Sequence, residues 1–283
     1  MPSVAVRSAG FSHRAGGMLA AVAVGLGFAF VIAPRFVATS WAGGGFADEG
    51  SLRDGFRAAF IEYWDSGSAG FTPSLQRVVD YWVRYHVVKA VIAAVLLVVL
   101  IALSALLWQA FLRAGGAAAG ERVAFAASGA VASILVVCSM LLVLANIQGA
   151  IAPFASLFPM LMGGPGDARL DDTLGQVRLG LTDYHGGRGA PALDVMVRDF
   201  QVYHEVLVVL APIVAVAALA LALYACGRFM KSARDDRRTR RVFGSFGIAA
   251  TLISVAAIVV TVANTTTVID PAPSLAALFA GGW

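Results

Sequence analysis

The chain has 283 residues, of which 59% are hydrophobic and 13% charged, with a mean hydropathy of +0.80 and a formal net charge of +4. A soluble domain carries about 25% charged residues, so an ordinary water-soluble globule is excluded. Two cysteines, Cys138 and Cys226, both lie in or at the end of apolar runs and make no exported disulfide framework.

Five apolar runs approach or reach the roughly 20 residues that cross a bilayer: 17–33, 87–108, 123–145, 206–226 and 243–263. The first is the shortest. It reads as a retained helix closed by Ile32-Ala33-Pro34, as Ile151-Ala152-Pro153 closes the third and Ile269-Asp270-Pro271 follows the fifth. The alternative is a signal peptide with a cleavage site near Ala38-Thr39-Ser40. An amphipathic segment follows at 52–64, with Leu52, Phe56 and Phe60 spaced by four. A Gly/Ser-rich turn at 65–70 precedes Pro73, which opens the next helix. Leu75, Val78, Val79 and Trp82 give that helix an apolar face before it turns wholly apolar. The return span ends at Ala145-Asn146, and the short apolar piece 153–162 should lie along the interface or dip back against protein.

The same order then returns. Tyr85-His86 recurs as Tyr203-His204, a shift of 203 − 85 = 118, and that shift carries Ala145-Asn146 onto Ala263-Asn264. It also carries Pro153 and Ser156-Leu157 onto Pro271 and Ser274-Leu275. The expected fold is an all-α polytopic membrane bundle of about five transmembrane helices. It comprises a leading helix and linker (1–51), repeat 1 (52–162), a linker (163–169) and repeat 2 with a C-terminal tail (170–283). Each repeat holds two spans, so the copies enter the bilayer in the same sense, as tandem parallel hairpins. Amphipathic helices cap the extracytoplasmic face.

Charge sets the expected orientation. The N-terminus and the turns at 109–122 and 227–242 hold eleven Lys/Arg against three Asp/Glu; the remaining loops hold ten against fourteen. Excess Lys/Arg marks the cytoplasmic side. This places the N-terminus inside, the C-terminus outside and the protein in the plasma membrane as a multi-pass chain. The run 234–241 reads as a topology anchor, so no nucleic-acid partner is expected.

No charge sits at the centre of any span, and the chain holds no P-loop, zinc-protease motif, paired-cysteine metal motif or nucleophile elbow. No enzyme activity and no cofactor are expected. The sharpest candidates are the repeat-related His86 and His204, each following a belt tyrosine, Tyr85 and Tyr203. Two imidazoles related by a two-fold could ligate one haem iron or metal; the alternative is interfacial histidines bonded to water or backbone. Asn146 and Asn264 could line a polar vestibule or cap helix ends.

The stretches Tyr81-Trp82-Val83-Arg84-Tyr85-His86, Ala145-Asn146-Ile147-Gln148-Gly149-Ala150-Ile151-Ala152-Pro153 and Arg237-Arg238-Thr239-Arg240-Arg241-Val242-Phe243-Gly244 carry a resemblance. They resemble an uncharacterised group of actinobacterial multi-spanning membrane proteins, some labelled as twin-arginine signal proteins. The resemblance implies no activity and no site residues. The function expected from the residues is a non-enzymatic accessory or scaffold protein of the envelope. Its partners would be the lipid bilayer and a membrane or envelope protein, and the sequence leaves its oligomeric state open. The alternatives are a transporter or channel-like protein with its path at the repeat interface, and a haem or metal redox protein.

Overall fold

A computed structural model describes residues 13–41, 45–114, 118–163, 167–184 and 190–281. Arg7, the glycine-rich turn at 185–189 and Trp283 lie outside the described residues. Among the described residues every regular element is helical. They are α1 (His13–Trp41), α2 (Glu49–Ser66), α3 (Pro73–Arg113), α4 (Ala119–Ile151), α5 (Pro153–Leu157), a 3₁₀ turn (Phe158–Leu161), α6 (Ala168–Thr182), α7 (Pro191–Lys231), α8 (Arg237–Ile269) and α9 (Pro271–Phe279). Helices α1, α3, α4, α7 and α8 are long and apolar enough to cross a membrane. The protein is an all-α, multi-pass membrane protein, as lipid demands of a backbone that must bond internally.

Local chemistry sets the boundaries. Asp48 caps α2 through Ser51 N (2.7 Å), while Ser51 Oγ accepts from Asp48 N. Hydrogen bonding from Ser51, above all from its backbone N–H, holds the Asp48 carboxyl below its usual range. Gly67 ends α2 in the left-handed conformation, at φ 61°. Thr72 caps α3 ahead of Pro73, Asp167 caps α6, and Asp236 caps α8 through Thr239 N. Hydrogen bonding from the Thr239 side chain and backbone lowers the Asp236 pKa. Helices α3 and α7 are both 41 residues long, α4 and α8 both 33, and the starts stand 191 − 73 = 118 and 237 − 119 = 118 residues apart.

Three helix ends differ from expectation. Helix α1 does not stop before Pro34; it runs through to Trp41. Proline removes one donor and crowds the preceding turn, which bends a helix but need not end it. At Ala152 and Asp270, each before a proline, the backbone does leave the helical region (φ −121° and −139°) and the chain breaks there. Helices α4 and α8 also continue five residues past Asn146 and Asn264, so neither asparagine caps a helix end.

Helix α3 pairs with α4 and α7 with α8, while α1 lies on α3. The hairpins meet at both ends: α4 touches α7 near α5, and at the basic end Trp108 of α3 meets Phe246 of α8 edge-on at 5.4 Å. Within the spans the buried residues are mostly small, such as Ala93, Ala132, Ala215, Ala218 and Ala250, while Val95, Ile134, Val216 and Ile258 face outward. Lipid is as apolar as leucine, so close backbone approach and interhelical hydrogen bonds hold such pairs. Ser139 Oγ donates to Ala93 O (2.9 Å) across the first hairpin and Ser254 Oγ to Ala215 O (3.0 Å) across the second.

The large buried side chains lie elsewhere. A 41-residue helix is about 60 Å long, twice the hydrocarbon thickness of about 30 Å. The first turns of α3 and α7 therefore project beyond the lipid, and α2, α5, the 3₁₀ turn, α6 and α9 pack around them as a cap. Phe154 sits at its centre, ringed by Phe56, Phe60, Tyr63, Phe71 and Phe158 at centroid distances of 4.9–6.4 Å. Two arginines clasp it. Arg57 of α2, 7% exposed, donates to the carbonyls of Met160 (3.0 Å) and Gly163, while Arg178 of α6 donates to Phe279 O (2.8 Å). The two halves interlock through Trp64 Nε1 to Gln176 Oε1 (2.9 Å), an Arg169–Asp65 ion pair (3.2 Å) and Phe158 against Phe279.

Tyr63 is fully buried in this core, its Oη has no hydrogen-bond partner among the described residues, and burial pushes its phenol up to about 12. An unmade buried hydrogen bond costs about 1–3 kcal/mol, so Tyr63→Phe should stabilise the cap by about 1 kcal/mol in denaturant unfolding. The raised pKa favours the neutral phenol in the fold. Its contribution is complete below pH 10 and is lost as pH rises through about 12. That alkaline loss should be smaller in Tyr63→Phe. A destabilised Tyr63→Phe, with the alkaline loss unchanged, would contradict both expectations.

Candidate functional site

A polar layer lies where the spans enter the cap, and it contains the residues the sequence singles out. On α3, Tyr85 and His86 stand one turn after Trp82 on the same side. Trp82 stacks on Tyr85 (5.3 Å) and meets the His86 ring edge-on (4.4 Å). Trp82 Nε1 donates to Ser156 Oγ (2.7 Å), tying α3 to α5. His86 Nδ1 donates to Trp82 O (3.1 Å), since a carbonyl can only accept. The Cδ2–Nε2 edge of the ring fills the space that a Cβ would take at Gly149 of α4. Lys89, one turn on, places Nζ 4.5 Å from the Phe30 ring and 5.1 Å from Tyr85, which joins α1 to this layer.

On α7 the corresponding histidine is held differently. Phe200 meets His204 edge-on at 4.6 Å, as Trp82 meets His86. His204 Nδ1 lies 2.7 Å from Asn264 Oδ1 of α8. Asn264 Nδ2 donates to Val260 O (2.7 Å), which fixes the amide orientation and makes His204 the donor. His204 Nε2 is buried and has no partner among the described residues. Asn146 makes the same Nδ2 bond to its own helix, at Leu142 O (2.7 Å), and is buried.

The structure thus brings His204 to Asn264, and His86 to Gly149 rather than to Asn146. It does not bring the two histidines together: each packs on the return helix of its own hairpin, and no ring contact joins them among the described residues. Among the described residues no group of three or more His, Cys, Asp or Glu side chains gathers as a metal site.

Three further residues in the layer take on contacts that the sequence does not assign them, Gln148 reading there only as a residue flanking a span. Gln148, buried on α4, donates Nε2 to Tyr203 O (3.0 Å) and links the two hairpins. Asp199 of α7 accepts from Ala155 N (2.7 Å) at the start of α5, where Ala152 offers no side-chain cap. A carboxylate at a buried helix start satisfies donors that would otherwise be orphaned. Gly149 admits the His86 ring. Asp199 stands beside the apolar stripe of Met196, Val197 and Phe200, and that misplaced charge was the one signal available. The chemistry of this layer is hydrogen bonding that fixes helices to one another.

Comparison with known proteins finds no family model that matches the chain, no matching curated protein and no matching solved structure.

Proposed function

We propose that this protein is a non-enzymatic plasma-membrane scaffold whose cap is a rigid extracytoplasmic platform for a membrane or envelope protein partner. The observation that carries this reading is where the large side chains are buried. The twelve largest fully buried side chains, among them Tyr63, Phe56, Phe154 and Leu193, all belong to the cap core, while the spans bury mainly small residues. A chain built for chemistry or passage inside the bilayer would concentrate polar, well-packed groups at mid-span. Here the described mid-span polar groups that are buried, Ser104, Ser139 and Ser254, each bond to a helix of their own hairpin.

The excess of Lys/Arg at the end opposite the cap supports a cytoplasmic location for that end and an outward cap. The equal helix lengths and the constant shift of 118 support a duplicated hairpin unit with both copies pointing the same way. A transport path between the units has less support, because two prominent grooves run beside the hairpins and not between them.

A photoreactive side chain placed at Asp172 or Leu179, both exposed on α6, tests the platform in living cells. Both positions should yield the same protein adduct, and Leu179→Asp should weaken the adduct formed at position 172. Ala233 at the basic end should not form it. Adducts to lipid alone from both cap positions would contradict the proposal.

A further inference from the structure

The α7–α8 hairpin carries an open groove at its basic end, about 530 Å³ in volume. Ala222, Cys226 and Phe229 of α7 and Phe243, Gly244 and Gly247 of α8 line it, and it runs toward mid-span past Thr251. In the α3–α4 hairpin the matching place is filled. Trp108 stands 226 − 108 = 118 residues before Cys226, and Gly129 stands 247 − 129 = 118 before Gly247. The Trp108 indole lies on Gly129, 3.0 Å from where a Cβ would be, and its Nε1 donates to Ser133 Oγ (3.1 Å). Thr251 takes the place of Ser133, and its hydroxyl likewise bonds back to the helix, at Gly247 O (2.8 Å). The seam therefore accepts an apolar body, and the second hairpin supplies none of its own.

The groove's mouth is cationic. The Arg240 guanidinium lies 4.0 Å over the Phe229 ring and donates to the carbonyls of Phe229 (3.3 Å) and Ser232 (3.4 Å). Arg228 lies 5.3 Å over the Phe243 ring and is exposed. Lys231 and Arg241 stand two residues beyond the same two phenylalanines. Here an apolar slot opens at a basic membrane surface. Its occupant needs an apolar tail and an anionic head.

We propose that this groove seats one acyl chain of an anionic phospholipid, with the lipid phosphate held by Arg228 beside Arg240. The chain gains little hydrophobic energy on leaving bulk lipid, which is equally apolar. Shape therefore places the chain, and charge selects the head group, since each basic residue near a membrane surface contributes appreciably to anionic-lipid attraction. The inference goes beyond the scaffold reading and does not depend on which side the basic end faces.

The test uses the full chain in a mild non-ionic detergent, given equal amounts of phosphatidylglycerol and phosphatidylcholine with identical acyl chains. Native mass spectrometry should find one phosphatidylglycerol retained in preference. Arg228→Ala should lower that retention about fivefold, the share of one basic residue. Cys226→Trp, which copies the filled hairpin, should abolish it without lowering the unfolding temperature. An excess of glycerol phosphate should not displace the lipid. Equal retention of both lipids, full retention by either variant, or displacement by glycerol phosphate would overturn the proposal. If Cys226→Trp fails to fold, Arg228→Ala on its exposed side chain still decides.

Discussion

Replacing Phe154 with alanine should cost the cap about 3–5 kcal/mol, enough to unfold it while the spans remain helical. Phe154 is 1% exposed and shares ring contacts with five aromatic residues drawn from α2, the 67–72 turn and the 3₁₀ turn. No single element can collapse to fill the space it leaves, because those neighbours belong to separate segments fixed by Arg57 and by Asp199. The loss should appear as protease cutting within 45–72 and 153–184 at a temperature where the wild type resists. Ile258→Ala is the control. That side chain is 53% exposed on a span, so its truncation removes lipid contact and not core, and should change stability by less than about 0.5 kcal/mol. Equal sensitivity of the two variants would mean that the cap is not where the fold is held.

The second large effect is expected at Gly149. A methyl group there would overlap the His86 imidazole, which is itself held by Trp82 O and by the Trp82 ring. Either α3 and α4 part or the ring leaves its place, and overpacking of this kind costs about 1–3 kcal/mol. The diagnostic is a cycle with His86→Ala. Gly149→Ala should be costly in the wild type and nearly free once the imidazole is gone, a coupling expected only of groups in contact. Equal cost in both backgrounds would break the link. The 118-residue shift puts Thr267 at the matching place of α8, and there His204 turns instead to Asn264. The two histidines stand 118 residues apart in the sequence and differ in bonding pattern.

That contrast shows what a sequence can carry. Periodicity and apolar length locate α3, α4, α7 and α8, since lipid leaves the backbone few choices, and Pro73 and Pro191 mark where two of them begin. The amphipathic stripe of Leu52, Phe56 and Phe60 announces a buried face, and all three are buried. The partners of that face were not legible. Nothing local in Arg57 or Arg178 says that each reaches a carbonyl about a hundred residues away. Gly149 looks like any small residue in an apolar span until His86 is placed on it. Gln148 reads as a polar residue at a span's end, and only the packing of α4 on α7 sends it to Tyr203 O. Helix ends at Asn146 and Asn264 were misplaced because asparagine favours caps by local propensity. Each amide instead bonds back to the carbonyl four residues earlier in its own helix, and the helices run on to Ile151 and Ile269.

The membrane arrangement is tested most directly by cysteine labelling on intact cells, in a chain whose Cys138 and Cys226 are replaced by alanine. Cysteines introduced at Ser68 and at Asp172, one in each half of the cap, should both react with an impermeant maleimide before the membrane is opened. A cysteine at Ala233 should react only afterwards. Reaction of Ser68 and Asp172 on opposite faces, or of Ala233 alone in sealed cells, would contradict an outward platform built from two equally oriented halves.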